Sequence, residues 1–189
     1  MYTDTLIEPE VVRDGKLRLF SLYVDFAAAE RARWVTGQIA GLAGRRWKSN
    51  AEMWNLDSLA TGNPIRKMVT QDAADADVLV VAMSSLDRRE PELIQWLDSL
   101  VAGKANRPAS GLLIGLLGDE EHSAAELDWM VKQFLGCAQR TDRDFIWRWM
   151  GLEAMADGDW LADSVEVLLA RKQSAGDEMF LQKAAVGAV

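Results

Sequence analysis

The sequence predicts an α/β domain, a three-layer, doubly wound parallel sheet of five strands. Three observations point to it. Val78–Met83 (VLVVAM) and Gly111–Leu117 (GLLIGLL) are apolar at every position, as parallel strands covered on both faces must be. The segments between such runs carry their apolar residues at helical rather than alternating spacing. Strand-like and helix-like segments also alternate along the chain as βαβαβαβαβ, the order that crossovers between parallel strands require.

The first strand is expected at Leu17–Val24 (LRLFSLYV), and Ala32, Val35, Ile39 and Leu42 then mark one face of a helix that Gly44 stops. Residues 47–56 mix polar and apolar side chains, as an edge strand does. Asn63-Pro64 opens a second helix, whose inward face is expected at Ile65, Met68, Val69, Asp72 and Ala76. After the third strand, Pro91 opens a helix with Leu93, Trp96, Leu97 and Leu100 inward. The stretch Gly103–Ser110 reads as a loop before the fourth strand. Ser123 and Glu126 form a capping-box pattern ahead of Leu127, Met130, Val131, Phe134, Leu135 and Ala138, and Phe145–Trp149 closes the series.

Right-handed crossovers and short connections favour the flavodoxin-like order 2-1-3-4-5, which puts the polar second strand on an edge. The expected organisation is an N-terminal arm at 1–16, the α/β domain at 17–150 and an acidic C-terminal helical extension at 151–189. In that extension Leu161, Val165, Leu168 and Leu169 make an apolar stripe on a helix at about Trp160–Arg171. The nearest matching surface in sequence is Phe145, Trp147 and Trp149, so the stripe is expected to dock there.

Composition narrows the function classes. The 189 residues are 49% hydrophobic and 26% charged, which suits a globular chain. The net charge of −8 gathers at the ends: four acids against one Arg in residues 1–14, and seven acids against three bases in 151–189. The near-neutral middle lacks the basic stripe that phosphate neutralisation needs, so nucleic acid is not an expected partner. No apolar run approaches the ~20 residues of a membrane span and the first residues do not read as a secretory signal, so no membrane partner is expected and the location is expected to be cytoplasmic. Cys137 is the one cysteine and His122 the one histidine, too few for a zinc cage.

Ligands of such sheets bind at the carboxyl ends of strands where the winding reverses, here between the first and third strands. The candidate binding residues are Asp25 and Phe26 after strand one, Ser84 and Ser85 after strand three, and Asp57 after strand two, with Asp119 after strand four on the same rim. Aspartate and serine at these places also serve as ordinary helix caps. No metal is expected, because Asp25, Asp57 and Asp119 belong to three strands and only the first two of those are neighbours. No cofactor is expected either. The first connection, Asp25-Phe26-Ala27-Ala28-Ala29, lacks the glycines that let a backbone approach a diphosphate. The scaffold resembles receiver domains, but Met83-Ser84-Ser85 stands where their phosphorylated aspartate would end the third strand.

Phe20-Ser21-Leu22-Tyr23, with Asp75-Ala76-Asp77-Val78-Leu79-Val80-Val81 and the later Ser84-Ser85, resembles Toll/interleukin-receptor-type domains and, more loosely, nucleoside deoxyribosyltransferases. That resemblance spans residues 17–98 and implies N-glycosidic cleavage with Glu92, or Glu90, as the catalytic carboxylate. Glutamate in the first turn of a helix is equally a complement to the helix dipole. Tyr23-Val24-Asp25-Phe26, Trp54-Asn55-Leu56-Asp57-Ser58-Leu59 and Ala73-Ala74-Asp75-Ala76-Asp77 resemble a group of uncharacterised bacterial proteins of about this length, which supports the fold. The leading functional expectation is a non-catalytic signalling or protein-interaction module on a receiver-like scaffold, with protein as partner. The alternative is a nucleotide-like small molecule, bound or cleaved at the strand 1/3 crevice.

Overall fold

A computed structural model describes residues 15–60, 62–84, 90–103, 111–118, 124–150 and 158–186. Five strands, β1 (Gly15–Tyr23), β2 (Trp47–Asn55), β3 (Val78–Met83), β4 (Gly111–Leu117) and β5 (Arg143–Trp149), form one sheet in the order β2-β1-β3-β4-β5. Every pairing is parallel, with Leu19 opposite Val78, Val78 opposite Leu112 and Gly111 opposite Arg143. The helices are α1 (Phe26–Ala43), α2 (Ile65–Ala74), α3 (Glu90–Gly103), α4 (Ala124–Arg140) and α5 (Asp159–Val186). The fold is the expected flavodoxin-like α/β sandwich, and the bounds of β3 and β4 are those read from their apolar runs.

Strand alternation splits the core into two layers. Phe20, Leu22, Leu79, Val81, Leu113 and Leu117 face α2, α3 and α4, where Trp96 stacks on Phe20 with centroids 6.2 Å apart. Leu17, Leu19, Val78, Val80, Leu112 and Ile114 face α1 and α5. The Ser21 hydroxyl is fully buried and has no hydrogen-bond partner among the described residues. Ser21→Ala is therefore expected to stabilise the fold by about 1 kcal/mol, because it removes an unsatisfied polar atom at little cost in volume. Chemical denaturation of the two proteins side by side measures this.

The helix expected in an acidic extension is α5, and it completes the α1 layer. Leu161, Val165 and Leu168 are buried against that core with Met150 and Ile146. The expected docking surface is corrected by the same contacts. Phe145 packs on the opposite face, against Phe134 of α4, while Trp147 and Trp149 on that face remain exposed. Residues 144, 146 and 148 meet α5 instead: Arg171 donates to Asp144 at 2.6 Å, and the Arg148 guanidinium lies over the Trp160 ring. Near the start of the sheet, Lys172 pairs with Asp77 and lies 5.8 Å from the Trp47 ring centroid. That ring crosses Gly15 so closely that a Cβ there would fall 2.3 Å from it.

Three side chains expected inside are 42–54% exposed: Leu42, Met68 and Leu135. In α2 the buried set is Val69, Thr70 and Ala73, a stripe turned by one residue from the one expected, and it leaves Asp72 only partly covered. In the last turn of α1 the buried place goes to Ala43. Arg143 begins β5 with its guanidinium turned inward, where Nη2 donates to the carbonyls of Ala73, Ala74 and Ala76 at 3.0 to 3.2 Å. A cation at the carbonyl end of α2 suits the helix dipole.

Candidate functional site

The winding of the sheet reverses between β1 and β3, and their carboxyl ends meet at Asp25 and Ser84. After β1 the Val24 amide donates to Ala82 O at 3.1 Å, which carries the chain along β3 for one more residue. Asp25 then takes extended angles and caps α1. Its Oδ1 accepts from the Ala28 amide at 2.8 Å and from Ser84 Oγ at 2.7 Å, and Oδ2 accepts from the Ser84 amide at 3.1 Å. Both carboxylate oxygens are engaged.

Arg31 completes the cluster from the buried face of α1, where it is 2% exposed. Its Nη2 donates to Ser84 Oγ and to Met83 O at 3.5 Å, so Ser84 Oγ receives a bond from the guanidinium and passes its own proton toward Asp25. Gly118, just after β4, lies against this cluster, with its amide donating to Met83 O at 2.8 Å. A Cβ on Gly118 would stand 2.6 Å from Arg31 Nη2 and 2.7 Å from Ser84 Cα, so only glycine lets the strand end approach so closely.

Burial works to raise the Asp25 pKa, but the Ser84 hydroxyl, the Ala28 and Ser84 amides and the Arg31 charge together hold it below its ordinary value of 3.8. A carboxylate held low is a poor proton acceptor, so Asp25 is badly suited to activate Ser84 as a nucleophile. The sign for stability follows from linkage. A folded-state pKa below the unfolded value contributes stability that is present above 3.8 and is lost as pH falls through the depressed value. Asp25→Asn is expected to be less stable than the parent above pH 3.8 and to close that gap as the solution is acidified. Denaturant titrations across that acid range check the convergence.

The remaining expected site residues divide. Asp25 and Ser84 are brought into direct contact. Phe26 begins α1 with its ring 81% exposed on the rim. Asp57 lies in a short 3-10 turn at 56–59, is exposed, and donates its amide N–H to Asn55 Oδ1 at 2.7 Å. Glu92 is exposed in the first turn of α3, and among the described residues no hydrogen bond or ion pair links it to Asp25, Ser84 or Arg31. Ser85, Asp119, His122 and the Glu90 side chain lie outside the described residues. Cys137 is 1% exposed, and burial pushes its thiol up. A depression of about 360 Å³ beside α2 is lined by Asn63, Arg66, Lys67, Thr70, Gln71 and Ser99, none of them a residue of the crevice.

Sequence reasoning missed Arg31 and Gly118. The signal for Arg31 was a cation at a core position of the Ala28, Ala32, Val35, Ile39 stripe. Gly118 gave no comparable signal, because a glycine after a strand is also an ordinary turn residue.

No family model matches the chain, and no curated protein matches it. Among solved structures it is similar to a short-chain flavodoxin associated with a non-canonical PDU bacterial microcompartment, at TM-score 0.53 and 15% identity. The match covers 82% of this chain and 99% of that one. The likeness is one of fold.

Proposed function

We propose that the protein is a non-catalytic protein-binding module, acting in signalling or assembly in a bacterial cytoplasm, that presents the rim of the β1/β3 crevice to a protein partner. The observation that carries this reading is the Asp25 carboxylate seated at the N-terminus of α1 with both oxygens bonded. In sheets of this order that position receives a ligand's phosphate, because free amides and the helix dipole favour an anion. Here the chain supplies the anion itself, and Arg31 compensates its charge from behind. An incoming phosphate would meet a carboxylate rather than open amides. The exposed Phe26 ring beside this closed crevice suits a protein surface, since aromatic anchors dominate such interfaces. The one cysteine, buried and unpaired in a disulfide, fits a reducing compartment.

A photo-crosslinking residue in place of Phe26 tests the reading in cells of the source organism. The expected result is a discrete protein adduct from position 26 that is missing when the same residue replaces Arg33, exposed further along α1. Identical adduct patterns from both positions, or none from either, would overturn it.

A further inference from the structure

The geometry points to a second copy of this chain as the partner of the β5 edge: we propose that two β5 strands pair antiparallel about Ile146 and join two sheets into one of ten strands. This surface is separate from the crevice rim and does not depend on the preceding reading.

β5 ends the sheet, and among the described residues no strand lies beyond it. The Met150 amide donates to Leu117 O at 2.8 Å, which fixes the phase of the strand. Residues 144, 146 and 148 direct their backbone groups toward β4, so Arg143, Phe145, Trp147 and Trp149 direct theirs outward. Natural edges of this kind are guarded by lysine, proline or inward charges. The other edge, β2, follows that rule with Lys48 and Glu52 in a strand that has no fully buried residue. β5 carries Arg143, turned inward at its start, with Asp144 and Arg148, but also places Trp147 on the edge, 43% exposed.

The sequence of β5 is complementary to its own reverse. A twofold axis at Ile146 sets Asp144 opposite Arg148, Phe145 opposite Trp147, Arg143 opposite Trp149 and Ile146 opposite itself. Each of the first three pairs occurs twice. Outward-facing residues meet outward-facing residues, so the N–H and C=O of Phe145 and Trp147 are placed to bond across the axis. Opposite-charge and aromatic cross-strand pairs are the arrangement that stabilises antiparallel ladders. Moving the axis to any other residue shortens the overlap and separates Asp144 from Arg148. Arg171 already holds Asp144 through Oδ2 on the α5 face, where Arg148 of the second copy would arrive at Oδ1.

Sedimentation equilibrium with charge reversals tests the pairing. The parent is expected to show a concentration-dependent mass rising to twice the 21.0 kDa of the chain. Arg148→Asp sets like charges opposite each other twice and is expected to weaken dimerisation about tenfold or more, as is Asp144→Arg. The double variant restores both pairs and is expected to recover the dimer, which separates lost pairing from lost folding. A second readout is Ile146→Cys, which brings two thiols together at the axis and is expected to form an interchain disulfide in air; Cys137 is buried and contributes no background. A parent that stays at 21.0 kDa at its highest soluble concentration overturns the proposal. A dimer indifferent to the single reversals, or a double variant that stays monomeric while folded, overturns it too.

Discussion

Deleting residues 153–189 is expected to abolish cooperative unfolding, because α5 supplies half of the helical cover on one side of the sheet. Leu161, Val165 and Leu168 are at most 2% exposed, and each contributes about 1.5–3 kcal/mol by leaving water. Their loss alone removes roughly 4–9 kcal/mol, comparable with the ~5–15 kcal/mol stability of a whole domain. Removal also uncovers Leu112, Ile114 and Leu116. A chain without α5 is thus expected to bind a hydrophobic dye and to melt without a sigmoidal transition by circular dichroism. Val165→Asp buries a charge in the same seam and is expected to cost about 4 kcal/mol or more while leaving chain length unchanged. A truncated protein that melts as sharply as the parent would show that α5 is dispensable.

The second large effect is expected at Arg31. Arg31→Ala removes a side chain that is 2% exposed, leaves a cavity beneath α1, and takes a cation from the Asp25–Ser84 pair. Losses of this kind run to about 3 kcal/mol, or about 10 °C in Tm for a chain of this size. Arg31→Lys keeps the charge but not the planar reach and is expected to recover only part of the loss. Gly118→Ala drives a methyl into the same guanidinium and the Ser84 backbone and is expected to lower Tm in the same direction. Differential scanning calorimetry of the three variants orders them.

Elements that face both helical layers were legible because their constraint is local. β3 and β4 are apolar at every residue, so their bounds could be read directly. β1 was read two residues late: Gly15 and Lys16 carry no strand signal of their own and join the ladder through Trp47 and Lys48. Helical periodicity gave the right faces for α3, but not the ends or small residues of others. Leu42 has the spacing of an inward residue yet lies in the last turn, and Ala43 takes the place against the sheet. The docking of α5 was misplaced for a physical reason. The Phe145, Trp147 and Trp149 face was chosen by nearness in sequence, whereas a strand offers its two faces to different layers, and residues 144, 146 and 148 met the helix.

At the site, Asp25 and Ser84 could be named from strand ends because topology alone brings them to the switch point. What they do there depended on Arg31, which lies 53 residues before Ser84 and is reachable only once α1 lies on the sheet. Asp57 and Glu92 followed the same end-of-strand logic, but each is exposed and separate from the cluster in its described contacts. A strand end gives a residue's height in the fold and leaves its partners to side-chain direction.

If the chain's own carboxylate occupies the anion position of the crevice, no phosphate-bearing ligand has room there. Calorimetric titration of the full chain with FMN, ATP and inorganic phosphate, with native mass spectrometry of the purified protein, tests it most directly. With Asp25 filling the anion position, no retained small molecule and no saturable heat are expected. One-to-one binding of any of the three, with stabilisation approaching about 2.7 kcal/mol at a hundredfold excess over Kd and weakened by a bulky residue at Ser84, would contradict it.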